Sequence, residues 1–223
     1  MKRFFAQILF ISVMMYLPIG TSYAESSKDN TSKITYTKSS VDLNAGMRKL
    51  WEDHVFYTRN FIISTLANLE DANKIAERLL KNQDDIGNAI KVYYGETAGN
   101  KLSKLLRDHI LIAADVVNAA KAGNDVELKK ASNKWSANAD DIAVFLSNAN
   151  PNWPKQTLID MLHKHLDLTT AEVVARLKKD WSADIKAFDN GIDHMLIFSD
   201  TLSSGIVKQF PDKFKTMGKV ASN

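Results

Sequence analysis

The chain has 223 residues, with 29 basic and 26 acidic side chains, so its formal net charge is only +3. It contains no cysteine, which excludes disulfides and thiol chemistry. A weak net charge without basic stripes or interleaved aromatic residues also argues against a nucleic-acid-binding protein.

The N-terminal stretch predicts export. Met1-Lys2-Arg3 is basic, residues 4–19 are apolar, and Ser22-Tyr23-Ala24 has small residues at the two positions that a signal peptidase reads. The apolar run is shorter than the roughly 20 residues that a membrane-spanning helix needs. We therefore predict a signal peptide over residues 1–24, no transmembrane anchor after its cleavage, and a soluble periplasmic or extracellular protein.

Helical periodicity dominates the rest of the chain. Residues 25–39 are rich in Ser, Thr, Lys and Asn and predict a flexible leader. From Ser40, which we interpret as a helix cap, apolar residues recur at alternating spacings of three and four, as in helices with one buried face. No useful length shows the period-2 alternation of strands. We predict an all-α, up-and-down bundle of about five to six helices over residues 40–210 and a C-terminal tail at 211–223.

Two motifs recur in matched order. The dipeptide Asp-His occurs at Asp53-His54, Asp108-His109 and Asp193-His194, and the pattern Asn-x-Asp-Asp-Ile occurs at 82–86 and 138–142. The offset between the first two histidines, 109 − 54 = 55, nearly equals that between the two asparagines, 138 − 82 = 56. The matched offsets predict a duplicated helical hairpin.

Hairpin geometry then predicts a polar layer across the bundle. Residues equidistant from a hairpin turn lie side by side, so turns near residue 69 and near Gly123 place His54 level with Asp85 and His109 level with Asn138. Asp85 and Asp141 are expected to face inward, whereas the aspartates directly before them face solvent. The predicted layer comprises His54, Asn82, Asp85, His109, Asn138 and Asp141, and Asp184 and His194 of the final helix could join it.

The C-terminal third predicts a loop, a short helix and a long one. Two prolines within residues 148–154 exclude a helix throughout that segment. We predict a short helix over Lys155–His165, a cap near Thr169 and a long final helix through Leu177 to Leu202. His163 and His165 are two residues apart, so they diverge on a helix, and we interpret both as exposed.

The polar layer admits three interpretations. Imidazoles and carboxylates converging inside a bundle form metal sites in helical proteins. The first is therefore a divalent transition metal or a small ligand, with metal ligands His54, Asp85, His109, Asp141 and His194 and ligand-binding groups Asn82, Asn138 and Asp184. The second is a non-enzymatic envelope interaction or structural protein whose layer only fixes helix packing. The third is a hydrolase or lyase in which Asp85 orients His54 as a base.

Nothing in the chain singles out an enzyme class. It contains no phosphate-binding glycine loop, nucleophile elbow or zinc-protease helix motif, so we predict no catalytic residues. The sequence indicates no particular protein partner.

Several stretches together resemble a family of exported all-helical bacterial proteins. They cover most of the chain after the predicted signal peptide, at residues 51–59, 82–95, 105–110, 138–153 and 189–210. The resemblance implies export and a helical fold. It transfers no catalytic residues.

Overall fold

The computed structural model describes residues 37–215, which fold into five α-helices and one 3-10 turn. They are α1 Lys38–Ala67, α2 Ala72–Ala122, α3 Asp125–Ala149, α4 Lys155–Leu177, α5 Trp181–Gln209 and the turn Pro211–Phe214. No strand occurs within these residues, so the predicted all-α bundle is confirmed. No helix in the described range is long and apolar enough to cross a membrane. The predicted signal peptide and most of the predicted leader lie outside the described residues.

The first helix begins earlier than the sequence suggested. Thr37 is its N-cap, and the Thr37 Oγ1 atom accepts a hydrogen bond from the Ser40 backbone N–H at 3.2 Å. In return, the Ser40 hydroxyl accepts from the Thr37 N–H at 3.0 Å. This reciprocal capping box satisfies two N–H groups that the first turn leaves unpaired. Ser40 therefore lies inside the helix, and Lys38 and Ser39 belong to α1 and not to the leader.

The long helix α2 is folded back on itself at one glycine. Gly95 has φ 82° and ψ 170°, a backbone conformation open essentially only to glycine. The two arms, residues 72–94 and 96–122, approach closely beside this kink, because a Cβ atom on Gly99 would lie 2.7 Å from the Gly87 carbonyl oxygen. Farther along, Arg107 Nη1 contacts Asp84 at 3.0 Å across the same pair of arms. The five helices thus give six helical arms.

The predicted break between the last two helices is misplaced. Helix α4 runs without interruption through residues 167–169, and the Thr169 hydroxyl donates to the His165 carbonyl of its own helix at 2.9 Å. A threonine that bonds back in this way is compatible with a helix interior. The turn comes later, where Lys179 adopts a left-handed φ of 58° and Asp180 accepts from the Ala183 N–H at 3.0 Å.

Part of the predicted C-terminal tail also belongs to the bundle. Phe214, in the 3-10 turn, is buried, and its ring stacks on that of Tyr93 with a centroid distance of 5.8 Å and an interplanar angle of 17°. The turn therefore closes the end of the bundle where α2 bends.

Two apolar clusters form the core, and polar side chains lie between them. The larger cluster includes Trp51, Ile86, Ile142, Phe198 and Ile206, and the smaller one contains Ile62, Val117 and Val173. On each of α1, α2 and α4, a buried histidine lies eight residues before the residue of the smaller cluster. Burial of such apolar side chains stabilises the fold by about 1.5–3 kcal/mol each, so the polar residues between them need a specific reason to be there.

Candidate functional site

Three buried histidines meet at the centre of the bundle. His54 of α1, His109 of α2 and His165 of α4 are only 2%, 3% and 5% exposed. The ring centroids of His54 and His165 are 5.4 Å apart, and those of His109 and His165 are 6.1 Å apart. We call these three residues the histidine layer. His54 and His109 were predicted at this depth, whereas His165 was expected to be exposed.

A sequence signal for His165 existed. Buried residues of α4 recur at Leu158, Leu162, His165, Thr169 and Val173, with spacings of 4, 3, 4 and 4, which are typical of one buried helical face, as for His54. The helix break predicted near Thr169 concealed this continuity.

The two hairpins repeat one unusual hydrogen bond. Asn82 Nδ2 donates to the Leu50 carbonyl at 3.0 Å, and Asn138 Nδ2 donates to the Leu105 carbonyl at 3.2 Å. Each carbonyl lies four residues before the layer histidine of its helix. Both asparagines are buried, so the side-chain amide of each needs a hydrogen-bond partner and finds it on the neighbouring helix. The bond fixes the axial register of the two helices.

His109 has both ring nitrogens occupied. Its Nδ1 atom lies 2.7 Å from Asn138 Oδ1, and its Nε2 atom accepts from Trp135 Nε1 at 3.0 Å. An indole N–H can only donate, and the Asn138 amide group is committed to a backbone carbonyl, so the proton must be on Nδ1. The contact between His109 and Asn138 is the one that hairpin geometry predicted.

His54 pairs with a residue that the sequence analysis did not select. Its Nδ1 atom lies 3.3 Å from Gln83 Nε2, which also donates to the Leu79 carbonyl at 2.8 Å. His54 Nδ1 is therefore the acceptor, and its Nε2–H points to His165 Nε2 at 3.4 Å. Gln83 follows His54 by 29 residues, as Asn138 follows His109 by 29, and this matched offset could have identified it.

Burial keeps the layer uncharged. It lowers the pKa of His54 to about 3, helped by the nearby His109 and opposed by the Gln83 hydrogen bond. Burial likewise lowers the pKa of His109 to about 4, and that of His165 well below its usual value of 6.5. Removal from water penalises the imidazolium form, so all three rings are neutral near neutral pH.

The aspartates predicted to enter the layer lie at the surface instead. Asp85 accepts from Lys81 at 2.6 Å and its side chain is about one-third exposed, and Asp141 is exposed. The buried face of α2 at this height carries Leu79, Asn82, Gln83 and Ile86, so Asp85 falls just outside it. Because successive residues turn by about 100° around a helix, a misjudgement of one position moves a side chain from core to solvent.

The predicted metal ligands therefore do not converge. His194 is half-buried, and its Nε2 atom bonds to the Met161 carbonyl at 2.7 Å and not to the layer. Within residues 37–215, no group of three or more His, Cys, Asp or Glu side chains is placed to hold a metal ion.

Asp184 lies in a second polar group beside the layer. It is 2% exposed and accepts from Arg59 at 2.9 and 3.1 Å and from Arg176 at 2.7 Å. Arg59 also donates to Glu172 at 2.6 Å. Burial raises the pKa of Glu172 to about 7 although Arg59 opposes the shift. We call these four residues the ion-pair cluster. The two arginines of the cluster donate to the Asp184 carboxylate, which was predicted to bind a ligand.

Two adjoining cavities lie beside α1 and α4; the larger also borders α2 and α3, and the smaller also borders α5. The larger, the apolar cavity, has a volume of about 60 Å³ and an almost entirely apolar lining that includes Ile62, Leu79, Ile110, Val117, Trp135 and Val173. The smaller, the polar cavity, has about 10 Å³ and is lined in part by His165 and Glu172. Thr58 and Thr169 line both. The Thr58 hydroxyl is buried and has no hydrogen-bond partner among the described residues.

No family model, curated protein or solved structure matches the chain. The resemblance to exported helical bacterial proteins therefore stays a prediction.

Proposed function

We propose that this chain is an exported, non-enzymatic binding protein that holds a small, mostly apolar ligand in the apolar cavity. The observation that carries the proposal is the cavity itself, which has about 60 Å³ of space inside an otherwise closely packed bundle. Ligand sites in proteins are typically concave and apolar, with a few polar groups at one end. Apolar cavities of this kind stay dry and accept small apolar molecules.

The histidine layer lies behind two residues of the cavity wall and has an architectural role. Trp135 lines the apolar cavity and donates to His109, and Leu79 lines it and accepts from Gln83. A general base needs a free nitrogen and access to substrate, whereas His109 uses both nitrogens and all three imidazoles are enclosed. The layer thus supports ligand binding by holding the cavity walls in place, and not by chemistry.

Xenon binding tests the proposal. Nuclear magnetic resonance spectra under xenon pressure should show saturable shifts at the methyl groups of Ile62, Val117 and Val173, which line the cavity. Ala113→Leu places a larger side chain on the cavity wall and should abolish the shifts. Ala137→Leu, at an exposed position of α3, is the matched control and should preserve them. Shifts that fail to saturate, or that persist in Ala113→Leu, would rule out the apolar cavity as a binding site.

A metal ion is a second candidate, favoured by one distance. His54 Nε2 and His165 Nε2 are 3.4 Å apart. Two nitrogens bound to one tetrahedral zinc at about 2.0–2.1 Å are separated by about 3.4 Å. A divalent transition metal would replace the hydrogen bond between these rings only if the His54 proton moved from Nε2 to Nδ1 and displaced the Gln83 donor, and if small external ligands entered the enclosed layer. Addition of Co²⁺ should then produce visible absorption bands that His165→Gln removes, and no bands in the native protein would eliminate this candidate.

Export has its own test. The predicted signal peptide supports cleavage after Ala24. The protein recovered outside the cytoplasm should begin at Glu25, as N-terminal sequencing would show. An intact N-terminus on protein retained in the cytoplasm would contradict export.

A further inference from the structure

An exposed apolar patch lies along the seam between α1 and α5. Trp181, Ile185 and Phe188 are spaced by four and three residues, so they share one face of α5. Phe56 of α1 extends this face, because its ring packs edge-on against that of Phe188 with a centroid distance of 5.7 Å. We call these four residues the seam patch.

The seam patch is open to solvent and fixed from beneath. Phe56, Trp181 and Ile185 are 51%, 53% and 54% exposed. The two arginines of the ion-pair cluster support the aromatic rings, with one guanidinium 4.5 Å from the Phe188 ring centroid and the other 5.4 Å from that of Trp181. Rings that are held in place before a partner arrives lose little conformational entropy on binding.

The end of the seam patch at Trp181 is flanked by positive charge. Lys178 and Lys179 come just before Trp181 and are exposed. They outnumber the single nearby carboxylate, that of Asp180, which caps α5. Neither lysine takes part in an ion pair within residues 37–215.

The opposite end of the seam patch is flanked by negative charge. Asp189 follows Phe188 and is exposed, and Glu52 lies one turn before Phe56 on α1. Neither carboxylate takes part in an ion pair within the described range. Lys186 is about 100° around α5 from Ile185 and therefore lies to one side of the patch. The two ends thus carry opposite charges roughly 12 Å apart along α5.

We propose that the seam patch binds a second copy of this chain, giving a two-fold symmetric dimer in which the two α5 helices run antiparallel. A two-fold axis near Ile185 brings Trp181 of one copy within about one helical turn of Phe188 of the other. The same axis sets the lysine end of each copy against the acidic end of the other. A two-fold interface requires such a self-complementary surface. The proposal goes beyond ligand binding and does not depend on the apolar cavity.

The charges favour a second copy over a membrane surface. Anionic lipids attract clusters of lysine and arginine, whereas the acidic end of the seam patch would be repelled by them. Between two copies, both ends gain an opposite charge at once.

The exposed area predicts a weak, reversible dimer. A large aromatic side chain has roughly 150–250 Å² of surface, so the four partly exposed residues offer roughly 300–400 Å². An exposed patch of this size is typical of functional surfaces on monomers. Two copies would bury about 600–800 Å² of apolar area, which corresponds to an interface of about 1,000–1,200 Å² at the apolar fraction of homodimers. We therefore expect a dissociation constant in the micromolar range.

Sedimentation and tryptophan fluorescence test the dimer. Sedimentation of the purified protein between about 1 μM and 1 mM should show a monomer–dimer equilibrium. Of the four tryptophans, all of them in the described range, Trp181 alone is more than half exposed. Tryptophan emission should therefore shift to shorter wavelength over the same concentrations as the dimer forms.

Substitution at the centre of the patch locates the interface. Ile185→Glu should weaken dimerisation at least tenfold, because it sets two carboxylates close to the two-fold axis, and circular dichroism should show an unchanged fold at this exposed position. Ile197→Glu is the matched control: Ile197 is 59% exposed on the same helix but about 120° away around it, so dimerisation should be preserved.

Charge reversal tests the antiparallel arrangement. Lys178→Glu and Asp189→Lys should each weaken dimerisation about fivefold at low salt, because like charges then meet at both ends of the interface. An equal mixture of the two variants should dimerise as well as the native protein. In the mixed dimer, every reversed charge faces an opposite charge.

Three results would overturn the proposal. The first is a monomer throughout this concentration range. The second is an equal loss of dimerisation in Ile185→Glu and Ile197→Glu, or a mixture of the charge variants that dimerises no better than either alone. The third is a monomer that sediments with phosphatidylglycerol vesicles unless Ile185→Glu is present, which would assign the seam patch to a membrane.

Discussion

Acidification should destabilise the bundle steeply, because folding keeps the histidine layer neutral. Burial lowers the pKa of His54 to about 3 and of His109 to about 4, and that of His165 well below 6.5. In the unfolded chain these side chains titrate near 6.5. As the pH falls below 6.5, these histidines bind protons in the unfolded state, whereas in the folded state they stay unprotonated. The stability is therefore complete above about pH 6.5 and is lost as the pH falls towards the folded-state values.

The size of the effect follows from the pKa differences. Between pH 7.5 and pH 5, His54 and His109 each contribute a loss of about 2 kcal/mol, or about 4 kcal/mol together, and His165 adds a loss in the same direction. Glu172 acts in the opposite direction, because its pKa is raised to about 7 and it takes up its proton in the folded state first. Its contribution over the same range is a gain of about 2 kcal/mol. For His54, His109 and Glu172 together the net loss is about 2 kcal/mol, which His165 increases, and domains are usually stable by only about 5–15 kcal/mol.

Urea unfolding followed by circular dichroism at several pH values measures this loss. Near pH 5.5 the free energy of unfolding should fall by at least about 1 kcal/mol per pH unit, the slope expected when the unfolded state binds about one more proton, and His165 makes the slope steeper. His54→Gln removes one titrating ring and should reduce the slope by about one proton. A flat profile between pH 6.5 and 5, or an unchanged slope in His54→Gln, would refute a buried neutral layer.

Three further predictions concern stability and are checked by urea unfolding at pH 7.5. Gly205→Ala should cost about 1–3 kcal/mol, because its Cβ atom would lie 1.9 Å from the indole nitrogen of a neighbouring tryptophan. Gly191→Ala is the control: its Cβ atom would meet nothing within 4 Å, so the substitution should be neutral or should stabilise the fold by up to about 1 kcal/mol. Equal effects would contradict the packing described for α5. Asp184→Asn should cost about 3–5 kcal/mol, because the buried carboxylate that two partly buried guanidinium groups share loses its charge. Asp200→Asn, in a half-exposed pair, should cost less than about 1 kcal/mol. Gly95→Ala should cost about 1–3 kcal/mol, and a neutral result would show that the α2 kink is not strained for other residues.

The sequence by itself determined the helices and one polar contact. Apolar spacing identifies helical faces because that periodicity is local, and turn residues mark where hairpins close. Equidistance from the Gly123 turn placed His109 beside Asn138, and the structure has these side chains 2.7 Å apart. Two residues joined by a short hairpin can be aligned by counting, since both helices rise by the same amount per residue.

Tertiary structure decided which residues complete the layer and where the cavities lie. His165 comes from α4, which no short hairpin connects to α1 or α2, so counting cannot place it beside His54. The choice of Gln83 over Asp85 depends on the rotation of α2, and two positions along a helix differ by about 200°. Rotation and lateral placement are set by the packing of all six arms together. Packing also left the space beside Thr58, because cavities are what remains when side chains from several helices fail to fill a volume.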